Sequence, residues 1–110
     1  MNLVEIGELV LFAKEHYPTF GDLPDAVISN YFLIYQDNII IDRKDGDIRG
    51  FALYQIWPDF YNFIITCHLD NGFRWMMELL KNELAGKKIA GEFYFTGTGE
   101  GIEKFEVREV

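Results

Sequence analysis

Residues 67–80, CHLDNGFRWMMELL, bring together the residue types with most chemical content in the chain. An apolar strand run ends at His68 and Leu69, a turn of Asp70, Asn71 and Gly72 follows, and an amphipathic helix begins. The unpaired N–H groups and positive dipole end of a helix start can hold a phosphate. That makes Leu69, Asp70, Asn71, Gly72 and Arg74 the candidate anion-binding residues. His68, at the strand end, carries an imidazole able to take up and release a proton near neutral pH. On the next strand Glu92 and Tyr94 are two positions apart, so their side chains point the same way and that of Phe93 the other. If they face the cleft that His68 borders, they can supply a base or an acid. The competing reading is structural: a partly buried histidine with one hydrogen bond, and a solvated strand carboxylate.

Other reactive types carry less. Asp42, Asp45, Asp47 and Asp59 flank turns, but their irregular spacing is not that of a calcium loop. With one cysteine and two histidines, His16 and His68, no metal site is expected. Cys67 has no partner for a disulfide and sits in an apolar run, where a thiol packs as a small hydrophobe. TGTGEG, residues 96–101, follows a strand and lacks the lysine of a phosphate-binding loop, so it reads as a flexible connection. Trp57 and Phe60 stand on either side of Pro58 at a turn. Large rings left partly exposed there form a candidate interaction surface.

The elements that must position these residues follow from periodicity. Residues 3–16 fit a helix with Leu3, Ile6, Leu9, Val10 and Ala13 on one stripe, capped by Asn2 with Glu5 three residues on. Pro18 and Gly21 end it. DLPDAVISNYFLIYQ predicts a second helix with Asp22 as its cap, although YFLIY is β-prone and residues 30–41 can alternatively pair as strands. NIIIDR and IRGFALYQI form two extended runs joined through Asp45-Gly46, and YNFIITCHL forms a third after Pro58. The third is apolar almost throughout, as expected of a central strand covered on both faces. Residues 71–85 fit a helix, with KIAGEFYF and IEKFEVREV as further strands. The order α-α-β-β-β-α-β-β predicts an α+β fold, a mixed sheet with helices packed on it. The strands flanking the third helix are expected to be parallel neighbours.

A chain of 110 residues is long enough for one core, and the whole of 1–110 reads as one domain. Its formal charge is −8, with −4 in residues 1–44 (three basic, seven acidic) and −4 in residues 45–110 (seven basic, eleven acidic). An evenly acidic surface repels phosphate backbones, so no direct nucleic-acid binding is expected. It can attract a basic partner. MNLVEIGELV lacks a basic leader and no apolar run approaches membrane-spanning length, so no membrane association and a cytoplasmic location are expected.

The element order, with DRKDGDIRGFALYQI as a turn followed by Ile-x-Gly-Phe and FIITCHL leading into NGFRWMMELLKNELAGKKIAGEFYF, resembles the acyl-CoA N-acyltransferase (GNAT) superfamily over roughly residues 3–95. It also looks like the shortened GNAT-like proteins that bacteriophages encode, some of them not evident enzymes; for such a protein the location would be host cytoplasm or virion. The resemblance implies that the strand-to-helix junction meets the pyrophosphate of coenzyme A. The family signature there is Arg/Gln-x-x-Gly-x-Gly/Ala, whereas this chain has Leu69-Asp70-Asn71-Gly72-Phe73-Arg74-Trp75-Met76. One glycine replaces two, the leading basic residue is missing, and Asp70 places a negative charge where phosphates would arrive. The family's first strand has no counterpart, nor does the late helix that often bears a tyrosine acid.

Two functions follow from the resemblance and its losses. The first is a GNAT-like scaffold without enzymatic activity and without a cofactor, binding a protein partner as a viral accessory or virion component. The alternative is a minimal N-acyltransferase using acetyl-CoA, in which an amine loses its proton to His68 or Glu92 and a backbone amide of strand 61–69 holds the oxyanion. Self-association through the terminal strand 102–110 is a further expectation, because an edge strand can pair with a second copy.

Overall fold

A computed structural model of the chain describes residues 1–69, 88–95 and 102–107; for Lys88, Glu92–Phe95 and 102–107 it describes the backbone alone. Helix α1 spans Leu3–His16, and the Asn2 side chain accepts the Glu5 N–H at 2.8 Å, as the capping spacing predicts. A 3-10 turn, Pro18–Phe20, leads to helix α2, Asp25–Ile34. The expected cap for α2 is displaced. The N-cap is Pro24, with no side-chain cap bond, and Asp22 lies outside the helix because the proline holds an extended ψ of 146° just before it. Residues 30–34 are helical, which decides against the strand alternative there.

Among the described residues five strands follow: β1 (Ile39–Lys44), β2 (Asp47–Ile56), β3 (Phe60–His68), β4 (Lys88–Phe95) and β5 (Ile102–Val107), in one sheet ordered β1-β2-β3-β4-β5. β1–β2, β2–β3 and β4–β5 are antiparallel, and β3–β4 is parallel. The sheet is therefore mixed, with β3 in the middle, as the nearly continuous apolar run of residues 61–69 predicted. The β1–β2 turn has positive φ at both Asp45 (54°) and Gly46 (87°), the geometry of a type I′ hairpin and the reason glycine stands there. The expected helix 71–85 and the loop 96–101 lie outside the described residues.

Alternation along the strands sorts their side chains onto two faces. On one, Ile41, Phe51 and Cys67 align across β1, β2 and β3, as do Ile39, Leu53 and Ile65. This face meets the helices in one core with Ile6, Leu9, Val10, Phe12, Ala13, Ile28 and Phe32. Phe51 is its hub, with edge-to-face rings from Phe12 at 6.0 Å and Phe32 at 5.2 Å. Leu3, placed on the core stripe by periodicity, is 85% exposed instead. It lies in the first turn, beyond the reach of the sheet. On the other face Asp42, Gly50 and His68 form one row, and Ile40, Ala52 and Thr66 the next.

Arg43 fastens α1 to the β1–β2 hairpin. Its guanidinium donates to Glu8 at 3.0 Å, to Glu5 at 3.3 Å and to the Gly46 carbonyl at 2.8 Å. The hydrogen bond to Glu8, the largest influence, holds Arg43 above its ordinary pKa.

Candidate functional site

The row Asp42–Gly50–His68 is the most chemically specific feature of the sheet. The strand order puts a carboxylate on β1 and an imidazole on β3, with the backbone of β2 between them. Side chains two strands apart meet only if the middle residue is small. Gly50 provides the gap, and His68 Nε2 lies 2.8 Å from Asp42 Oδ2. A Cβ on Gly50 would overlap His68 Cδ2 and stand 2.9 Å from the Cys67 carbonyl oxygen. Glycine in the Ile48-Arg49-Gly50-Phe51 run is thus the seat of an imidazole ring.

With Asp42 ionised, its oxygen can only accept, so Nε2 carries a hydrogen. The His68 side chain is 5% exposed and that of Asp42 29%. The carboxylate opens toward solvent while the ring is enclosed. This arrangement fixes the position and tautomer of the imidazole, and it ties the edge strand β1 to the central strand. For proton transfer to a substrate, that substrate would have to enter the sheet face and meet a ring with little exposed area.

In the sequence Asp42 is only one of several turn-flanking aspartates. The signal that could have found it is a glycine on a middle strand with an acid and a histidine on its two neighbours. Recognising it requires the pairing register.

A second irregularity lies next to the row. The β2–β3 ladder shifts between Leu53 and Tyr54, leaving Ile64 as an extra residue on β3. On the other side of β3, pairing with β4 runs to Phe63–Gly91 and resumes at Cys67–Tyr94, with no partners for Ile64, Ile65 or Thr66. Thr66 Oγ1 is buried within this interval, without a hydrogen-bond partner among the described residues. Cys67 is fully buried, and burial pushes its thiol up to about 12, so it is a packing group and not a nucleophile.

The other sequence candidates scatter. Leu69 is half-buried against the helix-side core, and its N–H donates to the Arg49 carbonyl at 3.0 Å. Asp70, Asn71, Gly72 and Arg74 lie outside the described residues. The Tyr94 backbone stands opposite Cys67, one position out of step with His68, and the Glu92 backbone opposite Lys104 of β5. The structure thus brings His68 together with Asp42.

Trp57 and Phe60 do come together on the β2–β3 turn. Their rings stack at 5.8 Å with planes 7° apart, and the turn is closed by the Trp57 N–H donating to the Phe60 carbonyl at 2.9 Å. Trp57 is 48% exposed and Ile56 beside it 62%. The indole N–H donates to Gln55 Oε1 at 3.4 Å, and an open groove runs from there past Asn38.

Among the described residues no group of three His, Cys, Asp or Glu side chains is placed to hold a metal ion, and no helix is long and apolar enough to cross a membrane. No protein-family model, no curated protein and no solved structure matches the chain, so any assignment of function has to be argued from its own residues.

Proposed function

We propose that this chain is a protein-binding domain on a GNAT-like α+β frame, with the aromatic β2–β3 turn as its contact surface, and that it serves as an accessory protein rather than an enzyme. The observation that carries the reading is the stacked Trp57–Phe60 pair beside exposed Ile56. Flat aromatic rings held in place by stacking lose little conformational freedom on binding and supply large apolar area, the property of interface anchors. The enclosure of His68 supports the same reading, since a catalytic base needs access to its substrate. The helix–helix–meander order and the parallel β3–β4 pair agree with the frame that the resemblance implies.

The test places a photo-reactive benzoylphenylalanine at position 56 and irradiates the domain in extract of its own source. A discrete cross-linked partner that disappears when Trp57→Ala is added supports the reading. Cross-linking that the alanine leaves unchanged, or none, rejects the turn as the contact surface.

A second reading, the minimal N-acyltransferase, draws on the interrupted β3–β4 ladder and on Thr66 Oγ1, without a hydrogen-bond partner among the described residues, beside the Asp42–His68 pair. Backbone groups released from pairing can bind an extended amide-bearing chain such as that of coenzyme A, and His68 would accept the amine's proton. Calorimetric titration with acetyl-CoA and with CoA separates the two. Micromolar binding favours the transferase, and no binding at millimolar ligand removes it.

A further inference from the structure

We propose that the outer face of α1, together with the groove beside its C-terminal half, is a second docking surface whose occupant is a basic amphipathic helix of a partner protein. The inner face of α1 is accounted for by Ile6, Leu9, Val10, Phe12 and Ala13, all buried. A helix on the surface of a domain normally turns a polar face to water. Here the outward line is Val4, Glu8, Leu11 and Glu15, at steps of four, three and four, which keeps them on one side of the helix. Val4 is 74% exposed and Leu11 71%. Gly7 lies next to this line with open space where a Cβ would be, so a partner backbone can come close.

Leu11 leads into a cavity of about 320 Å³ between α1 and the start of β2, with Phe12, Ile48 and Leu69 as its apolar lining. Glu8, Glu15 and Asp47 stand on its rim with His16. Two cations beside α1 are engaged within the chain: Arg43 by Glu8, Glu5 and the Gly46 carbonyl, and Lys14 by Asp25 at 2.7 Å. Glu15 is paired with His16 at 3.7 Å. The surface therefore alternates apolar and acidic side chains along α1 and adjoins an apolar groove bordered by acids.

Charge complementarity selects the occupant. A second copy of this chain would bring Glu8 and Glu15 against their own equivalents, on top of a net charge of −8 on each molecule. Anionic lipid is repelled for the same reason. A helix with apolar residues at i, i+4 and i+7 fills the Val4–Leu11 line and the groove, and lysine or arginine on its flanks meets Glu8, Glu15 and Asp47.

The test uses the full chain and a fluorescent synthetic Leu/Lys amphipathic helix matched in length to α1, with a Leu/Glu helix of the same pattern as control, read by anisotropy at physiological salt. Leu11→Glu separates docking from plain charge attraction. It adds a carboxylate at an exposed site, so attraction by charge alone would leave binding equal or tighter, whereas apolar docking is weakened about tenfold or more. Retained folding is verified by circular dichroism. Glu15→Lys is expected to weaken binding as well, while Trp57→Ala leaves it unchanged, so this surface and the aromatic turn can fail separately. Equal or tighter binding by Leu11→Glu, equal binding of the two peptides, or no binding of the Leu/Lys helix overturns the proposal.

Discussion

Gly50 and Phe51 are neighbours on β2 and face opposite sides of the same sheet, yet they work by different physics. Phe51 anchors the helix-side core, where Phe12 and Phe32 meet it edge-on and stabilisation comes from apolar area and close packing. Gly50 contributes an absence of atoms, and the space it leaves is occupied by an imidazole reaching a carboxylate two strands away. One face tolerates rearrangement at the cost of area. The other depends on three residue types at three matched positions. A face of the second kind is where chemistry or conformational specificity is built, so the two can be told apart by how they fail.

The largest loss is expected on the packing face. Phe51→Ala should lower unfolding free energy by about 3–5 kcal/mol, measured by urea denaturation, because it removes a fully buried ring and leaves a cavity between sheet and helices. A loss under about 1 kcal/mol would mean that the helices do not rest on Phe51. Gly50→Ala should follow at about 3 kcal/mol, through overpacking rather than a cavity. Its diagnostic is partial rescue. In Gly50→Ala/His68→Ala the ring overlap is gone but the approach to the Cys67 carbonyl remains, so the double variant should be more stable than the two single losses sum to. Simple additivity would show that the ring does not lie over Gly50.

Asp42→Ala is smaller again, about 1–3 kcal/mol, the cost of leaving a buried imidazole nitrogen without its acceptor. The sharper readout is the imidazole nitrogen spectrum of His68. In the native protein it should report hydrogen on Nε2, and the alanine variant should lose that fixed tautomer. An unchanged spectrum would show that Asp42 does not hold the ring.

This contrast also explains how much was legible beforehand. Strand positions, the Asn2 cap and the Asp45-Gly46 turn are local, written in the periodicity and turn chemistry of a few adjacent residues, and the structure matches them closely. The central place of β3 was legible too, because a strand buried on both faces cannot alternate. Leu3 misled because the helical period does not say where the sheet beneath a helix ends. The Asp42–His68 pair spans 26 positions and requires the register of two ladders, one of them shifted by a bulge between Asp42 and Arg43. No spacing along the chain encodes it. The Asp70–Arg74 junction, which carries the clearest chemical expectation, lies outside the described residues, so its reading still rests on residue types.

Trp57 belongs to neither face, and the smallest effect on stability is expected there. Its ring is half exposed and its contacts are the Phe60 stack and a long hydrogen bond to Gln55, so Trp57→Ala should cost no more than about 1 kcal/mol. The variant is informative because stability and binding should part company. A residue kept for packing destabilises when removed and affects binding only through unfolding, whereas a contact residue leaves the melting curve nearly in place and abolishes the cross-link at the turn. Thermal melting and cross-linking of the same sample therefore decide which Trp57 is. A loss near that of Phe51→Ala would assign the turn to the structural core, and the surface reading of Trp57 and Phe60 would then be wrong.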